Sequence, residues 1–281
     1  MPPLQFQPAH RYSLDVLSVL FTRAYTDYYV PVHFTGAGFE SMIAAYDIDL
    51  SASRVGVVGQ APAALALLGV RGPRGWIGGM GVVPEQRGER AGRAITEAVI
   101  DAARRLKLRS INLEVLTQNL PAVRIYEALG FRRQRLLDVW RRDSDATFPM
   151  PPRQVVQPLD VSACLALFEE LHAVAPPWQR DLPTLQRTAA ALHALGIAED
   201  GRITAYLLYR MDNAQVSVLD LAAAPGQRTA AIESMLRALI RDRAGSPIHL
   251  ANLPQDDPAS NVMHLIGAQV QLQQHEMTLE L

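Results

Sequence analysis

The sequence predicts a protein of the α/β class, of the α+β type, built from two tandem domains. Three observations predict it: the length of the chain, an order of strands and helices that occurs twice, and a proline-rich segment between the two copies. The chain has 281 residues, about twice the ~150 residues of an ordinary domain. Since 49% of the residues are hydrophobic and 20% are charged, the chain can form stable cores, and wholesale disorder is excluded.

The first half begins with a short strand and an amphipathic helix. Apolar runs bounded by Gly and Pro then predict three strands, and apolar residues at three- and four-residue steps predict a long helix from Ala91 to Leu106. A buried strand, a short helix from Pro121 to Gly130 and a last strand complete this half. The predicted strands are Phe6–Pro8, Arg54–Gly59, Ala63–Arg71, Trp76–Val83, Ser110–Leu116 and Arg132–Arg142.

The second half repeats this order. Thr117–Gly130 aligns with Pro254–Gly267 at a constant offset of 137, and Pro84–Arg87 aligns with Pro225–Arg228 at an offset of 141. A tandem duplication explains the two offsets, with four residues fewer in the second copy. The predicted strands are Val155–Pro158, Gly196–Glu199, Thr204–Met211, Gln215–Ala222, Ile248–Ala251 and Gln269–Leu281.

The segment Asp143–Pro152 separates the two copies. It reads DSDATFPMPP, which is polar and then proline-rich, as is typical of a linker. We therefore expect a first domain at residues 1–145, a linker at 146–152 and a second domain at 153–281.

Hydropathy and cysteine content exclude several classes of protein. No apolar run approaches the ~18 to 20 residues that span a bilayer, and Met1–Arg11 lacks a basic stretch followed by an apolar one. We therefore expect a cytoplasmic protein without a membrane partner. The single cysteine, Cys164, permits neither an internal disulfide nor a multi-cysteine metal site, so we expect no metal.

Charge is distributed unevenly along the chain. Residues 1–149 contain 18 Lys and Arg against 14 Asp and Glu, a net charge of +4, and the remaining residues contain 9 against 14, a net charge of −5. A domain that binds a polyanion is usually more basic than this. The charge favours a small anionic ligand, and we expect no nucleic-acid partner.

Two segments of the first half carry a family resemblance. Val82–Ile95 reads VVPEQRGERAGRAI, and Asn119–Phe131 reads NLPAVRIYEALGF. The first is similar to the acetyl-CoA pyrophosphate loop of the GNAT N-acetyltransferase superfamily, and the second to its Asn, Ala, Tyr and Gly-Phe signature. The resemblance is specific over about residues 76–131. It implies two tandem GNAT-like domains, each with a mixed, mostly antiparallel sheet flanked by helices.

The resemblance also implies acetyl-CoA as a co-substrate. Physically, a helix that starts near Arg90 presents unpaired main-chain N–H groups to an anion, and Gly88 and Gly92 let the main chain approach it. The alternative is a solvated, arginine-rich helix start. Arg90 stands where the family has the first glycine of its loop. A side chain there costs little strain if the position is already helical, and it weakens or redirects cofactor binding if the position must touch the phosphates. The implied cofactor-binding residues are Val82, Val83, Arg87, Gly88, Arg90, Ala91, Gly92, Arg93, Asn119 and Ala122.

The resemblance further implies direct attack of an amine on the thioester, with Tyr126 protonating the departing thiolate. A phenol with an ordinary pKa of ~10 is a reasonable acid for this step, and a half-buried tyrosine bound to water is the alternative. Asn119 either caps the short helix or contacts the cofactor, and the two roles are compatible. Glu114 is a candidate base that acts through water, although a carboxylate satisfied by local hydrogen bonds is the favoured interpretation.

The acceptor is expected to be a small-molecule amine, or a peptide, bound beside the first helix. In the family this region forms one wall of the substrate cleft, and aromatic residues favour an apolar or cationic group there. Packing in the core explains part of the set equally well, and His33, a second candidate base, is more typical of ordinary surface. The candidate substrate-binding residues are Tyr25, Tyr28, Tyr29, His33 and Phe39.

The second copy lacks the predicted catalytic residues. Asp256 aligns with Asn119 and Met263 with Tyr126, and methionine has no proton to donate. We therefore expect a degenerate second domain. The alternative to an enzyme is a non-catalytic acetyl-CoA sensor or a partner-binding protein on the same fold. The oligomeric state is open, a homodimer included.

Overall fold

A computed structural model describes residues 4–144, 152–212 and 215–281. The chain divides into two compact units, Met1–Gln134 with His275–Leu281, and Arg135–Gln274. The predicted linker at 146–152 lies outside the described residues except for Pro152. None of the helices within the described ranges is both long enough and apolar enough to cross a membrane.

The first unit contains a sheet in the order β1-β2-β3-β4-β5-β12, in which β12 contributes its end. The pairs β1–β2, β2–β3 and β3–β4 are antiparallel, and β4–β5 is parallel. Helices flank this sheet, and the second of them was not predicted. The elements are β1 (Gln5–Pro8), α1 (Leu14–Ala24), α2 (Gly36–Tyr46), β2 (Arg54–Val58), β3 (Ala61–Arg71), β4 (Arg74–Val82), α3 (Glu89–Arg105), β5 (Ser110–Leu116), α4 (Leu120–Ala128) and the start of β6 (Arg132–Arg142).

The second unit contains a sheet in the order β6-β11-β10-β9-β8-β7. Its pairs are antiparallel except for β10–β11. Three short helices stand where the sequence predicted one amphipathic helix. The elements are β7 (Gln157–Leu159), α5 (Val161–Leu165), α6 (Phe168–Leu171), α7 (Leu182–Thr188), β8 (His193–Glu199), β9 (Arg202–Asp212), β10 (Gln215–Ala223), α8 (Arg228–Asp242), β11 (Ile248–Pro254), α9 (Pro258–Leu265) and β12 (Gln269–Glu280).

The two central strands of the first unit diverge at their ends. The register pairs Arg74–Ile77 with Ser110–Leu113 and stops there, although β4 continues to Val82 and β5 to Leu116. Main-chain groups of both strands therefore face a space that we call the β4–β5 gap. A β-bulge lies at Gly78, directly after the last paired residue, because Ile77 and Gly79 pair with consecutive residues of β3.

The second unit diverges at the equivalent place. The register of β10 and β11 ends at Val218 and Leu250, which lie 141 and 137 residues after Ile77 and Leu113. The bulge on β10 falls at Leu219, which is 141 residues after Gly78. The two offsets read from the sequence thus recur in the strand pairing, as expected if both units have one fold.

The last strand of each half lies in two units. The end of β12 contributes Met277 and Leu279 to the core of the first unit, and β6 contributes Trp140 to the core of the second. Because of this exchange, the contacts separate the units at Gln134 and Gln274 rather than near residue 145. The expectation of an α/β chain with mostly antiparallel sheets flanked by helices is confirmed.

Close packing of α1 on β4 depends on two glycines. A Cβ at Gly79 would lie 2.6 Å from the ring of Phe21, and a Cβ at Gly81 would lie 2.8 Å from the Cβ of Ala24 and 3.1 Å from its carbonyl oxygen. Phe21 and Ala24 are both buried on α1. Side chains at these glycines would therefore push the helix off the strand.

We expect Gly81→Ala to lower the free energy of unfolding by roughly 1–3 kcal/mol, the usual cost of overpacking. Urea denaturation measures it. Gly38→Ala is the control, because its nearest neighbour is the Thr35 hydroxyl at 3.2 Å and alanine favours the helix by up to ~1 kcal/mol. Equal losses in both variants would contradict the close approach of α1 to β4.

Candidate active site

Three tyrosine phenols lie beside the β4–β5 gap, and we call them the phenol cluster: Tyr25, Tyr28 and Tyr126. Tyr25 and Tyr28 both lie in the segment just after α1, and their rings pack edge to face with centroids 4.9 Å apart. The Tyr25 phenol hydrogen-bonds the main chain of Met80 on β4. Tyr126 lies on α4, is only 6% exposed and packs against Phe131.

Burial determines the ionisation of the cluster. Burial raises the pKa of Tyr126 above its ordinary value, and the neighbouring phenols of Tyr25 and Tyr28 raise it further. The pKa of Tyr25 is raised by burial and by Tyr28, against the opposing effect of the Met80 hydrogen bond. All three phenols therefore keep their protons at neutral pH and are hydrogen-bond donors.

Two hydrogen bonds join the segment after α1 to the turn between β5 and α4. The side chain of Asn119 hydrogen-bonds the Tyr28 phenol, and the Tyr29 hydroxyl donates to the Gln118 carbonyl at 3.2 Å. Asn119 also caps α4, since its Oδ1 accepts from the Ala122 N–H at 3.3 Å. Asn119 thus has the capping role and orients Tyr28 as well.

Arg87 holds the other side of the same segment. Its guanidinium donates to the carbonyl of Thr26 and, through Nε, to the carbonyl of Val82 at 3.3 Å. The N–H of Val83 donates to Ala63 across the sheet. Val82 and Val83 are buried, so their side chains stabilise the end of β4, and Arg87 spans from there to the segment after α1.

The loop before α3 has the conformation that its glycine permits. Gly88 has φ 150° and ψ 157°, a region that is almost exclusive to glycine, and a Cβ there would meet nothing within 4 Å. The main chain at Gly88 is therefore open to a ligand. The first N–H groups of α3 follow it, with Arg90 exposed and Ala91 half-buried. This is the usual form of an anion site at a helix start.

Two other residues of this region already have partners in the helix. A Cβ at Gly92 would lie 3.0 Å from Cδ1 of Ile125, so this glycine lets α4 pack closely on α3. Arg93 is half-exposed and pairs with Glu97 at 2.9 Å. Gly92 therefore positions the helix that carries Tyr126, and the charge of Arg93 is balanced in part.

Glu114 lies on β5 and is held by an indole. Its Oε2 accepts from Nε1 of Trp76 at 2.8 Å, and the Trp76 ring packs edge to face on Tyr46 of α2. The same ring covers Gly78, where a Cβ would lie 2.2 Å from it. The carboxylate thus has the local hydrogen bond that the sequence interpretation favoured.

Two of the candidate substrate residues are not brought to the phenol cluster. Phe39 is fully buried and packs against Phe21 and Phe34, so its role in this structure is in the core. His33 is exposed in the loop between α1 and α2. Tyr29 is 49% exposed and remains at the edge of the cluster.

Sequence reasoning missed several partners of the candidate residues. The indole of Trp76 was not linked to Glu114, and the carbonyl of Thr26 was not linked to Arg87. One signal was present: glycines at positions 79 and 81 alternate along the strand, which indicates an element packed closely on that face. In the described ranges, no group of three or more His, Cys, Asp and Glu side chains is placed to hold a metal.

Comparison with known sequences shows which family the first unit resembles. Residues 21–131 match the model of the acetyltransferase (GNAT) family. This part of the chain is similar to the GNAT family. A stretch of 74 residues is 42% identical to a mycothiol acetyltransferase of Thermobispora bispora, and 63 residues are 40% identical to one of Geodermatophilus obscurus. These stretches cover 26% and 22% of this chain, and only 25% and 20% of the two relatives.

Solved structures show that the GNAT likeness extends over both units. A GCN5-related N-acetyltransferase from Sphaerobacter thermophilus superposes with a TM-score of 0.71 at 16% identity, over 100% of this chain and 97% of the other. A tandem GNAT protein from the clavulanic acid biosynthesis pathway superposes with a TM-score of 0.70 at 15% identity, over 99% and 98%. At such identities the likeness concerns the fold, and the tandem GNAT fold is confirmed.

The burial of Tyr126 predicts a specific loss of stability at alkaline pH. An unfolded chain ionises this phenol near pH 10, whereas the folded chain retains the proton, so unfolding becomes more favourable as the pH rises. We expect the free energy of unfolding to fall by up to ~1.4 kcal/mol per pH unit for this one phenol. Urea denaturation between about pH 9 and about pH 11 measures the slope. The slope of the free energy of unfolding against pH should be smaller for Tyr126→Phe by that amount. Equal slopes for the variant and the wild type would show that Tyr126 is not a buried, protonated phenol.

Proposed function

We propose that the first unit is an acetyl-CoA-dependent N-acetyltransferase that moves an acetyl group to the amine of a small molecule or a peptide. The observation that carries the proposal is the convergence of Tyr25, Tyr28 and Tyr126 beside the β4–β5 gap, within a stretch that matches the GNAT family model. The two mycothiol acetyltransferases support acetyl transfer by their names. Their short matches carry no information on the acceptor of this chain.

Acetyl-CoA is expected to bind where the chain offers main-chain donors to its diphosphate. The candidates are the N–H groups at the start of α3, next to Gly88, with Arg87 and Arg90 as nearby cations. Arg87 would exchange one main-chain carbonyl for a phosphate oxygen, a stronger charge-assisted partner. Arg90 projects into solvent, so it permits cofactor binding in spite of replacing a glycine.

In the reaction, the amine nitrogen attacks the thioester carbonyl, the C–N bond forms, and the C–S bond breaks with release of the CoA thiolate. The raised pKa of Tyr126 changes the role expected of it. A thiol has an ordinary pKa of ~8.5, so complete transfer of a proton from this phenol to the thiolate is uphill. Tyr126 therefore acts chiefly by donating a hydrogen bond to the sulfur as negative charge develops.

The proton released by the amine needs an acceptor. Glu114 is the candidate on the strand beside the gap, and Trp76 fixes the orientation of its carboxylate through Oε2. We assign Glu114 the role of a base that acts through water. The acceptor molecule is expected to pack on Tyr25, Tyr28 and Tyr29, whose faces suit an apolar or cationic group.

Calorimetry and an assay of CoA-thiol release over a panel of amines test the proposed function. We expect acetyl-CoA to bind and at least one amine to release free thiol. Binding without transfer to any amine would favour a sensor, and absence of binding would reject both readings.

We expect Tyr126→Phe to lower kcat by ~10- to 1000-fold while acetyl-CoA still binds, because the variant lacks the donor to the leaving sulfur. Steady-state kinetics and calorimetry measure the two effects. Tyr12→Phe is the control, since this phenol bonds Gln7 at 3.2 Å and lies on other elements. A Tyr126→Phe enzyme with full turnover would remove Tyr126 from the mechanism.

We expect Glu114→Gln to lower kcat/KM and to remove the acidic limb of its pH profile, since the amide cannot accept the proton. Trp76→Phe is the companion variant, because it removes the hydrogen bond that orients the carboxylate, together with part of the ring that packs on Tyr46, and leaves the carboxylate itself in place. It should keep the acidic limb. A Glu114→Gln profile of unchanged shape would show that Glu114 is structural.

A further inference from the structure

The space between β10 and β11 beyond Val218 and Leu250, which we call the β10–β11 gap, contains a buried arginine. Arg180 ends a 3-10 turn, Trp178–Arg180, and is 4% exposed. Its Nε donates to the carbonyl of Leu219 at 3.0 Å, and its Nη1 donates to the carbonyl of Asn252 at 3.4 Å. Leu219 follows the last paired residue of β10, and Asn252 lies beyond the last paired residue of β11. One guanidinium therefore bridges the two strands where they have separated.

A carboxylate in the gap holds this cation. Asp220 is fully buried, and its Oδ1 lies 3.4 Å from Nη2 of Arg180. The same carboxylate accepts from the Tyr206 hydroxyl at 2.9 Å and contacts Nε2 of His172 at 3.1 Å. Burial alone would raise the pKa of Asp220, but His172, Arg180 and Tyr206 together bring it below its ordinary value. The group is thus ionised and fully paired.

The equivalent place in the first unit has no such group. Asp220 lies 141 residues after Gly79, at the same step beyond the bulge of its strand. Gly79 has no side chain, and the ring of Phe21 and the hydroxyl of Tyr25 lie on that side of β4. The Tyr25 hydroxyl would be 3.6 Å from a Cβ added at Gly79. On the β4 side the first gap is therefore bordered by a neutral phenol, whereas the second gap is filled by an ion pair.

We infer that the Arg180 side chain fills the gap that corresponds, in the second unit, to the proposed thioester site of the first unit. Each chain therefore binds one acetyl-CoA, and this molecule binds to the first unit. The inference rests on the proposed function for the identity of the ligand. The claim that a guanidinium fills the second gap depends only on the geometry of the second unit. A ligand that enters the second gap must displace a cation from two main-chain carbonyls and from a buried carboxylate.

Arg180→Gly tests the occupancy, with methylguanidinium as the probe. Truncation removes the guanidinium from Asp220, which keeps only His172 and Tyr206 as partners, and from the carbonyls of Leu219 and Asn252. We expect Tm to fall by up to roughly 6 to 20 °C. Methylguanidinium at about 20 mM, against equal sodium chloride, should restore part of the loss by binding the folded state. Arg202→Gly is the control, because Arg202 forms an exposed ion pair with Glu170. Failure of the probe to stabilise Arg180→Gly more than the control would overturn the inference.

Two further measurements cover the remaining outcomes. If Arg180→Gly does not fold, Arg180→Lys replaces it in the test. Lysine keeps the charge but cannot donate to Leu219, Asn252 and Asp220 at once, so a Tm equal to that of the wild type would overturn the inference. Titration calorimetry of the wild type with acetyl-CoA should give one site per chain. Two sites would overturn the inference. If acetyl-CoA does not bind at all, the proposed function is rejected, and the methylguanidinium result then decides whether Arg180 fills the gap.

Discussion

The divergence of two parallel strands is the constraint on which both units depend. Beyond Ile77 and Leu113, and beyond Val218 and Leu250, the strands no longer satisfy each other's main-chain groups. Buried N–H and C=O groups must find other partners. In the first unit a phenol reaches the main chain of β4, and in the second a guanidinium takes carbonyls of both strands. The same backbone therefore gives one gap with a neutral phenol at β4 and one gap closed by an ion pair.

Helix packing decides which side chains reach the first gap. Glycines at 79 and 81 let α1 lie against β4, and the segment that follows α1 carries Tyr25 and Tyr28 to the strand. Arg87 then joins that segment to the end of β4, while Tyr28 and Tyr29 join it to the turn before α4. The phenols are thus held from both sides of the gap, which limits the entropy lost when a ligand binds between them.

Local patterns predicted most of the fold and pointed to the tyrosines that the structure brings together, but they did not predict the contacts between distant segments. The offsets of 137 and 141 recur in the strand pairing, and the cap at Asn119 follows from its place before an apolar helix. The exchange of β6 and β12 was not predicted, because strand pairing over more than 100 residues leaves no periodic signal. For the same reason Trp76 was not joined to Glu114, 38 residues away. Phe39 was misleading, since aromatic residues of a core and of a cleft wall look alike in sequence.

The ion pair of the second unit also explains why its gap stays closed. Asp220 and Arg180 are each buried, so replacing Asp220 leaves a buried guanidinium without its carboxylate, and replacing Arg180 leaves the carboxylate with His172 and Tyr206 alone. Breaking a buried ion pair on one side typically costs up to about 3–5 kcal/mol. That is a large fraction of the ~5–15 kcal/mol by which a domain is stable. Opening the gap thus requires both changes together, whereas Met263, fully buried at the place equivalent to Tyr126, imposes no such coupling. Loss of the phenol is reversible by one substitution, but the closed gap is not.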